Sequence, residues 1–557
     1  MGGIIRHVGN LTSGTAFQDY SYLVFRKSQV IKVNQLARMY SHLPFASLLL
    51  VIGLLSLVSV EISNAHGRQD YDRLEKAAQL LRQGNSVAAE KELIDILRTS
   101  PRDPNALNLL GVIRAKQQQV VEAENLFLRA IRQSPRLSGA YINLGRLYMD
   151  LGKNDRAIWA YNQAVLLVPT NTDVHYQLAF LYADSSDFNK ALAHLKNIPQ
   201  DSWRPDEFYL SITSYLALNR RSEALDLVSK LRAETILDDS QAAALSSLLL
   251  RNNLLQEALG MLQGAIQKYP NSLQLQIELG VAYSQNKQWP LAEEHYLAAL
   301  RIDSRSISAL RGLAKAAQAL GDPEKALSYL VHAKRIAPDD PVVLYEFAVT
   351  AFKMNLILDV LPVAERLYKE NPGEPAYIHL LAVTKFRRDQ KDEAEQLLRR
   401  YIQLRPKDPI GHYLLGITLY TIKRLSEANA EFEQSLRVGR DPDSEYMLGL
   451  IAQSEGHKAE AINWLKGIKP DCDCYAAAQT LLGTLYAEEN DTDAARITLE
   501  RATQLNPKDL RAHYQLGLIY SKLGEKEKAA EMFTISDRLR QEQRTEEVTT
   551  FKLIDPP

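Results

Sequence analysis

Apolar side chains recur along most of the chain at the three- and four-residue intervals of amphipathic helices. Residues 140–152 (AYINLGRLYMDLG) and 155–168 (DRAIWAYNQAVLLV) show the pattern, each over about a dozen residues. Gly152, in the polar break between them, is suited to ending the first helix, and Pro169 cannot continue the second. The pattern therefore predicts two helices joined by a short turn.

This predicted helix pair repeats with a period of 34 residues, which shortens to 33 at two steps. One series, counted from Gly145, places small residues at thirteen of its fourteen positions, with Ile212 as the exception. Twelve residues further on, alanine fills thirteen of fourteen positions, with Val360 as the exception. A regular period of this length predicts a repeat architecture. Proline closes several of the units: Pro101, Pro135, Pro169, Pro270, Pro338, Pro372, Pro406 and Pro507.

The two small positions of each unit predict where its helices touch. The small residue of the first helix and the alanine of the second allow the two backbones to approach closely, while larger residues such as Leu144, Tyr148 and Tyr161 fill the space beside that contact. Because one helix pair cannot bury its apolar faces alone, neighbouring pairs must stack around a continuous core. A bulky residue in place of Ala157 is expected to overpack the crossing, at a cost of about 1–3 kcal/mol.

The repeated pattern strongly resembles the tetratricopeptide repeat family. The motif L-G-x-x-Y stands in the sequence as LGRLY, LGVAY, LGTLY and LGLIY. The resemblance covers about residues 70–543, some fourteen tandem units. It implies an all-α tetratricopeptide-repeat α-solenoid, a right-handed superhelix of helical hairpins whose first helices line a concave groove that binds peptides or proteins. Units five, six and nine depart most, at Ile212, Ser246 and Val360, and irregular or bent packing is expected there.

The amino terminus differs from the repeats. Residues 43–60 (LPFASLLLVIGLLSLVSV) carry no charge and are long enough to span a bilayer as a helix. The same stretch has the length of a signal-peptide core, with Ser63 and Ala65 placed for cleavage before His66. Three interpretations stay open: a cleaved signal peptide, an uncleaved anchor, or a buried core helix.

The charge around residues 43–60 predicts the orientation of the chain. Residues 1–42 carry five basic residues, Arg6, Arg26, Lys27, Lys32 and Arg38, against Asp19. This excess predicts that the repeats are exported, either periplasmic or anchored in the cytoplasmic membrane with the repeats outside the cytoplasm. Met39 is an alternative start for an ordinary signal peptide.

The predicted organisation has four parts. A basic segment spans residues 1–42, a signal peptide or single transmembrane anchor spans residues 43–65, the repeats occupy residues 66–543, and a short tail spans residues 544–557. Membrane contact is predicted only through residues 43–60, if they are not cleaved.

Composition and motifs favour binding over catalysis. A formal net charge of −1 provides no field that would attract nucleic acid. The sequence contains no HExxH, GxSxG or GxxxxGK[ST] motif and no GxGxxG motif after a strand. We therefore predict a non-enzymatic protein without a cofactor or a metal site.

Two further sets of residues need an interpretation. His175, His412 and His513 occupy the same position of their units, which favours a packing role over a metal or catalytic one. Cys472 and Cys474, in a predicted turn, are too few to complete a zinc site. They are turn residues without a role, thiols of lowered pKa at a helix N-terminus, or partners in a disulfide within the chain or with another chain.

The family resemblance also implies which side chains face the groove, namely those at the second, fifth, ninth, twelfth and thirteenth positions of each unit. Two interpretations stay open for the aromatic ones: they contact a ligand, or they pack between adjacent first helices and barely touch solvent. Carried over to units eight to twelve, these positions predict an aromatic groove with a basic edge: Tyr345, Phe352, His379, Phe386, Tyr413, Tyr420 and Tyr446, with Arg311, Lys315, Lys353 and Arg387.

The sequence therefore predicts a protein–protein interaction scaffold or adaptor that acts outside the cytoplasmic membrane through a long groove. Its predicted partner is a protein or peptide. An aromatic, basic surface also suits sugar rings that carry acidic groups. The alternative function is consequently a carrier or assembly factor for exported polysaccharide or for the outer envelope.

Overall fold

The structure of the protein, a computed structural model, describes residues 65–234, 237–439 and 441–543. Within these ranges the chain forms 28 α-helices and one 3-10 helix, Gln200–Ser202, and contains no strand. The predicted all-α fold class is thus confirmed. None of the described helices is both long and apolar enough to cross a membrane. The candidate membrane segment at residues 43–60, the basic segment before it and the tail at residues 544–557 lie outside the described residues.

The chain divides into two compact units, Met1–Asp303 and Ser304–Pro557. The described part of the first contains α1 (Ala65–Arg82), α2 (Ser86–Thr99), α3 (Pro104–Lys116), α4 (Val120–Gln133), α5 (Ser138–Asp150), α6 (Asn154–Leu167), α7 (Thr172–Asp184), α8 (Phe188–Leu195), α9 (Pro205–Ala217), α10 (Arg221–Glu234), α11 (Asp239–Arg251), α12 (Leu255–Lys268), α13 (Leu273–Gln285) and α14 (Trp289–Ile302).

The described part of the second unit contains another fourteen helices. They are α15 (Ile307–Ala319), α16 (Pro323–Ile336), α17 (Pro341–Lys353), α18 (Ile357–Glu370), α19 (Pro375–Arg387), α20 (Lys391–Leu404), α21 (Pro409–Thr421), α22 (Leu425–Val438), α23 (Pro442–Ser454), α24 (Lys458–Gly467), α25 (Tyr475–Glu488), α26 (Thr492–Leu505), α27 (Leu510–Lys522) and α28 (Lys526–Gln543).

Each odd-numbered helix packs against the even-numbered helix that follows it, and within each unit successive hairpins pack against one another. We call the two members of a pair the first and second helix of a repeat. Many first helices begin where the sequence places an acidic residue before proline. At Asp340, for example, the side chain accepts a hydrogen bond from the Val342 amide at 2.8 Å, while Pro341 occupies the first helical position. Both features stabilise a helix start, because they satisfy or remove amides that have no partner within the helix.

Each of the fourteen described hairpins turns through one residue with a positive φ. At Gly152, φ is +67°, and the following amide of Lys153 donates to the Tyr148 carbonyl at 2.8 Å, which closes the end of the first helix. Glycine holds this position in five hairpins. The other nine use Gln118, Ser186, Asn219, Asn253, Lys287, Asn355, Asp389, Lys423 and Asn490.

The alanine series predicted from the period lies in the core, where Ala157 and Ala428, for example, are fully buried. The departures in units five, six and nine are accommodated without loss of the hairpin, since Ile212, Ser246 and Val360 are fully buried as well. The irregular repeats are instead those with short second helices. Helix α8 has 8 residues and α24 has 10, whereas most second helices have 14. Longer connections therefore lead into α9 and α25.

Candidate partner-binding face

Four of the predicted groove aromatics lie inside the protein. Tyr345 and Phe352 on α17 are 2% and 4% exposed, and His379 and Phe386 on α19 are 0% and 7% exposed. The Tyr345 ring lies 5.7 Å from the ring of Tyr377. For these four side chains the structure supports the packing interpretation.

His379 shows what this burial does to a titratable group. Burial lowers the pKa of its imidazole to about 4, and the negative charge of Asp408 opposes this only in part. Neither ring nitrogen has a hydrogen-bond partner among the described residues, and the ring lies 5.9 Å from that of Tyr401. The side chain is therefore a neutral part of the core at physiological pH.

The remaining predicted aromatics are partly exposed. Tyr413 and Tyr420 on α21 and Tyr446 on α23 pack one side against the core and leave the other accessible, as do Ile417 and Leu450 beside them. Because Tyr413, Ile417 and Tyr420 are spaced at intervals of four and three residues, they share one face of α21.

The same positions of α27 are more open. Tyr514 is 41% exposed and Leu518 is 42% exposed. We call these seven residues of the second unit the apolar strip: Tyr413, Ile417, Tyr420, Tyr446, Leu450, Tyr514 and Leu518. The sequence prediction named only three of them. The family's fifth and ninth positions, applied to the last repeat as well, are the signal that identifies Tyr514 and Leu518.

The strip is apolar and uncharged. Burial raises the pKa of Tyr413, and the nearby carboxylates Asp443 and Asp441 raise it further. Burial also raises the pKa of Tyr446. Both hydroxyls therefore stay protonated at physiological pH and retain a hydrogen-bond donor beside an apolar ring.

The predicted basic edge is only partly available. Arg311 donates two hydrogen bonds to Glu346 of the next first helix, from Nε at 2.7 Å and from Nη2 at 2.6 Å, so its charge is compensated within the protein. The Arg387 guanidinium lies 5.7 Å from the Phe352 ring centroid, and burial lowers its pKa. Lys315 and Lys353 are exposed.

The three histidines at equivalent positions are structural. All are buried, and His175 and His513 donate from Nε2 to the carbonyls of Pro169 and Pro507, at 2.9 Å and 3.0 Å. His412 instead contacts Glu431 through Nδ1 at 2.7 Å. The imidazole thus ties the first helix to the turn before it, or to its second helix, in agreement with the predicted packing role.

The two cysteines are joined to each other. Cys472 and Cys474 form a disulfide in the connection between α24 and α25. Of the interpretations left open by the sequence, the structure selects the bond within the chain.

Comparison with known proteins agrees with this architecture. The family described as TPR repeat matches residues 145–186 and 483–524. Families described as tetratricopeptide repeat match residues 74–137, 243–307, 307–328 and 510–539. The chain is built from tetratricopeptide repeats. The family of anaphase-promoting complex, cyclosome, subunit 3, matches TPR residues 359–435.

The curated relatives resemble part of the TPR array. Protein O-mannosyl-transferase TMTC3 of Homo sapiens is 34% identical over 96 residues, which cover 17% of this chain and 10% of that protein. The anaphase-promoting complex subunit CDC16 of Saccharomyces cerevisiae is 28% identical over 102 residues, covering 17% of this chain and 12% of the subunit. The chain therefore spans about a tenth of the length of these relatives.

Solved structures with similarity to the TPR chain include a tetratricopeptide repeat protein from Parabacteroides merdae, with a TM-score of 0.38, 18% identity, and coverage of 44% of this chain and 98% of that one. The Cut9–Hcn1 hetero-tetramer of the anaphase-promoting complex gives a TM-score of 0.37 at 16% identity, with coverage of 88% and 96%.

Proposed function

We propose that this TPR protein is a non-enzymatic scaffold that binds a peptide segment of a partner protein along the apolar strip. The observation that carries the proposal is the partial exposure of apolar residues at equivalent positions of α21, α23 and α27, ending at Tyr514 and Leu518. Isolated apolar residues at a surface need no explanation. Several of them at equivalent positions of three first helices, of which α21 and α23 are neighbours, are typical of an interaction face.

The chemistry of the strip suits an apolar peptide. Tyrosine and leucine supply a large contact area, and the Tyr413 and Tyr446 hydroxyls can donate hydrogen bonds to peptide carbonyls. Because the rings already pack against the core on one side, little side-chain freedom is left to lose on binding. Tyrosine is also enriched among the residues that dominate binding energy at interfaces.

Two further points support a role as a scaffold. The partial likeness to CDC16, named as a subunit of a larger complex, favours a function in assembly with other proteins. The likeness to the O-mannosyl-transferase covers only 10% of that enzyme, and the proposal includes no transferase activity.

We also propose that the repeats act outside the cytoplasmic membrane. This rests on the uncharged residues 43–60 and the basic residues before them. The test is protease treatment of intact spheroplasts that produce the full chain with a carboxy-terminal tag. Digestion of the repeats from outside is the expected result, and protection until lysis contradicts the location.

Binding is tested by crosslinked pull-down from native cells with three versions of the chain. These are the unaltered protein, the double variant Tyr514→Ser/Leu518→Ser, and the control Leu358→Ser. Leu358 is 73% exposed but lies on the second helix α18. Circular dichroism establishes that all three fold alike.

The scaffold proposal requires a defined polypeptide that the unaltered and Leu358→Ser proteins retain and the double variant loses. If all three proteins retain the polypeptide equally, the binding face lies outside the apolar strip. If the unaltered protein retains no polypeptide but is retarded by immobilised acidic polysaccharide, the scaffold proposal is wrong and the protein is instead a polysaccharide carrier.

A further inference from the structure

In the folded chain a carboxylate, that of Asp443, lies beside the two cysteines. Cys472 and Cys474 lie between α24 and α25, and Asp443 lies in the first turn of α23, 29 residues before Cys472. A carboxylate oxygen of Asp443 and the two Sγ atoms all lie within 4.8 Å of one another. Cys474 is buried, and the other two are partly buried.

We propose that Cys472, Cys474 and Asp443 form a binding site for a thiophilic divalent cation, Zn²⁺ being the representative, when the disulfide is reduced. Zinc binds cysteine sulfur at about 2.3 Å and carboxylate oxygen at about 2.0–2.2 Å in tetrahedral geometry. Such a geometry separates the ligand atoms by about 3.5–3.8 Å. The three groups need only small side-chain adjustments to reach it, and a water molecule completes the shell.

The surrounding backbone favours negative charge on the sulfurs. Cys474 precedes the first residue of α25, and its amide donates to Cys472 Sγ at 3.0 Å. The N-terminus of a helix carries partial positive charge, which stabilises an adjacent thiolate. Two thiolates and a carboxylate next to one another repel, and a divalent cation between them removes that repulsion.

The connection into α25 explains why this repeat has room for the site. Helix α24 ends at Gly467 after 10 residues, so seven residues separate it from Tyr475, the first residue of α25. In this longer segment the cysteines reach back to the start of α23. A bound cation would therefore join the N-terminal ends of two successive first helices.

Binding is coupled to the redox state of the sulfurs. The disulfide takes up two electrons and two protons from a dithiol reductant, which itself becomes a disulfide, and yields two thiols. Zn²⁺ then displaces the two thiol protons to solvent as the Zn–S bonds form. Reoxidation by a disulfide oxidant, which takes up two electrons and two protons and becomes two thiols, restores the Cys472–Cys474 bond. It releases the cation, because disulfide sulfurs carry no negative charge.

The test uses the full chain, reduced with a phosphine and shown by thiol titration to contain two free thiols. Co²⁺ is the spectroscopic probe, since thiolate coordination produces a near-ultraviolet charge-transfer band and tetrahedral visible bands. We expect one Co²⁺ per chain, displacement of these bands by one equivalent of Zn²⁺, and no bands in the oxidised protein.

Three variants assign the ligands. Cys472→Ser removes the thiolate bands or reduces them to a single-sulfur spectrum, and Asp443→Asn weakens Zn²⁺ binding about tenfold or more. Asp473→Asn is the matched control, because Asp473 is an exposed carboxylate between the two cysteines that is not part of the group. It is expected to bind like the unaltered protein.

Absence of thiolate bands in the reduced, folded chain overturns the proposal. If the Asp443→Asn variant binds Zn²⁺ as tightly as the unaltered protein, Asp443 is not a ligand and the three-ligand arrangement is wrong. The arrangement is also wrong if Asp473→Asn weakens Zn²⁺ binding as much as Asp443→Asn does. Partner binding through the apolar strip is independent of these outcomes, because the strip variant Tyr514→Ser/Leu518→Ser keeps all three ligands.

Discussion

Phe432 lies with its ring against Gly416, and a Cβ atom added to that glycine would be 2.6 Å from Cε1 of the ring. The two residues belong to the two helices of one hairpin and are sixteen positions apart. The side chain nearest to the Cβ position of the glycine is thus the ring four residues after the alanine of the second helix. The same relationship recurs in four other hairpins: Gly111 with Phe127, Gly145 with Tyr161, Gly280 with Tyr296 and Gly517 with Phe533.

The volumes of the two positions vary together in ten of the described hairpins. Where alanine or serine replaces the glycine, the residue sixteen positions later is leucine in five units: Ala77 and Leu93, Ala179 and Leu195, Ser246 and Leu262, Ala314 and Leu330, Ala382 and Leu398. In these hairpins the ring takes the space of the missing Cβ, whereas leucine faces a residue that has a Cβ, as close packing in protein interiors favours. Gly449 and Gly483 depart from this relationship, because a Cβ there would lie 2.9 Å from Leu465 and 2.6 Å from Leu499.

The volume relationship makes a testable prediction. Gly416→Ala is expected to destabilise the second unit by about 1–3 kcal/mol through overpacking. Adding Phe432→Leu recreates the Ala382 and Leu398 combination and should recover most of the loss, as measured by thermal unfolding. A double variant no more stable than Gly416→Ala alone contradicts the relationship. Gly264→Ala is the control, because nothing lies within 4 Å of its Cβ. It should stabilise the helix by up to about 1 kcal/mol.

The hairpin turns provide a reciprocal pair of substitutions. Gln118 has a φ of +63°, and Gly152 holds the equivalent position at +67°. Gln118→Gly is expected to increase the free energy of unfolding by about 1 kcal/mol, because a residue with a Cβ is strained in this conformation. Gly152→Gln should lower it by a similar amount, although no atom lies within 4 Å of the added Cβ. Local amide hydrogen exchange in each hairpin measures both effects, and changes of the same sign contradict the explanation.

Buried His379 predicts a loss of stability in acid. Its pKa of about 4 lies below the ordinary value of 6.5, so the unfolded chain takes up a proton before the folded one does. This contribution to stability is fully present above pH 6.5 and is lost as the pH falls, and the loss reaches about 3 kcal/mol at pH 4. His379→Phe should flatten the stability profile between these values. An unchanged stability profile in the His379→Phe variant contradicts this explanation.

The hydrogen bond from His513 to the Pro507 carbonyl predicts which substitutions that position tolerates. Gln276 makes the equivalent bond, donating from Nε2 to the Pro270 carbonyl at 3.0 Å. His513→Gln should therefore retain stability, whereas His513→Leu should cost about 1 kcal/mol by removing the donor. Chemical denaturation of the two variants distinguishes them. If the two variants are equally stable, the hydrogen bond contributes nothing and the His513 ring acts only by packing.

Much of this protein is determined by the sequence alone. The 34-residue period, the alanine series and the turn position seven residues after each small residue predict the helices and their hairpins. They do so because neighbours within one hairpin are close in sequence, and their spacing depends only on helix geometry. The short second helices α8 and α24 were not predicted, since helix length there depends on how the connection packs.

Only the tertiary structure decided which groove positions are open to a partner. Tyr345 and Tyr514 occupy the same position of their repeats, yet the first is 2% exposed and the second 41% exposed. Burial depends on the packing of neighbouring helices, which no single repeat encodes. The tertiary structure likewise placed Asp443 beside Cys472 and Cys474. That proximity arises because α24 stops early and the following segment folds back to α23, a contact between groups 29 and 31 residues apart in the chain.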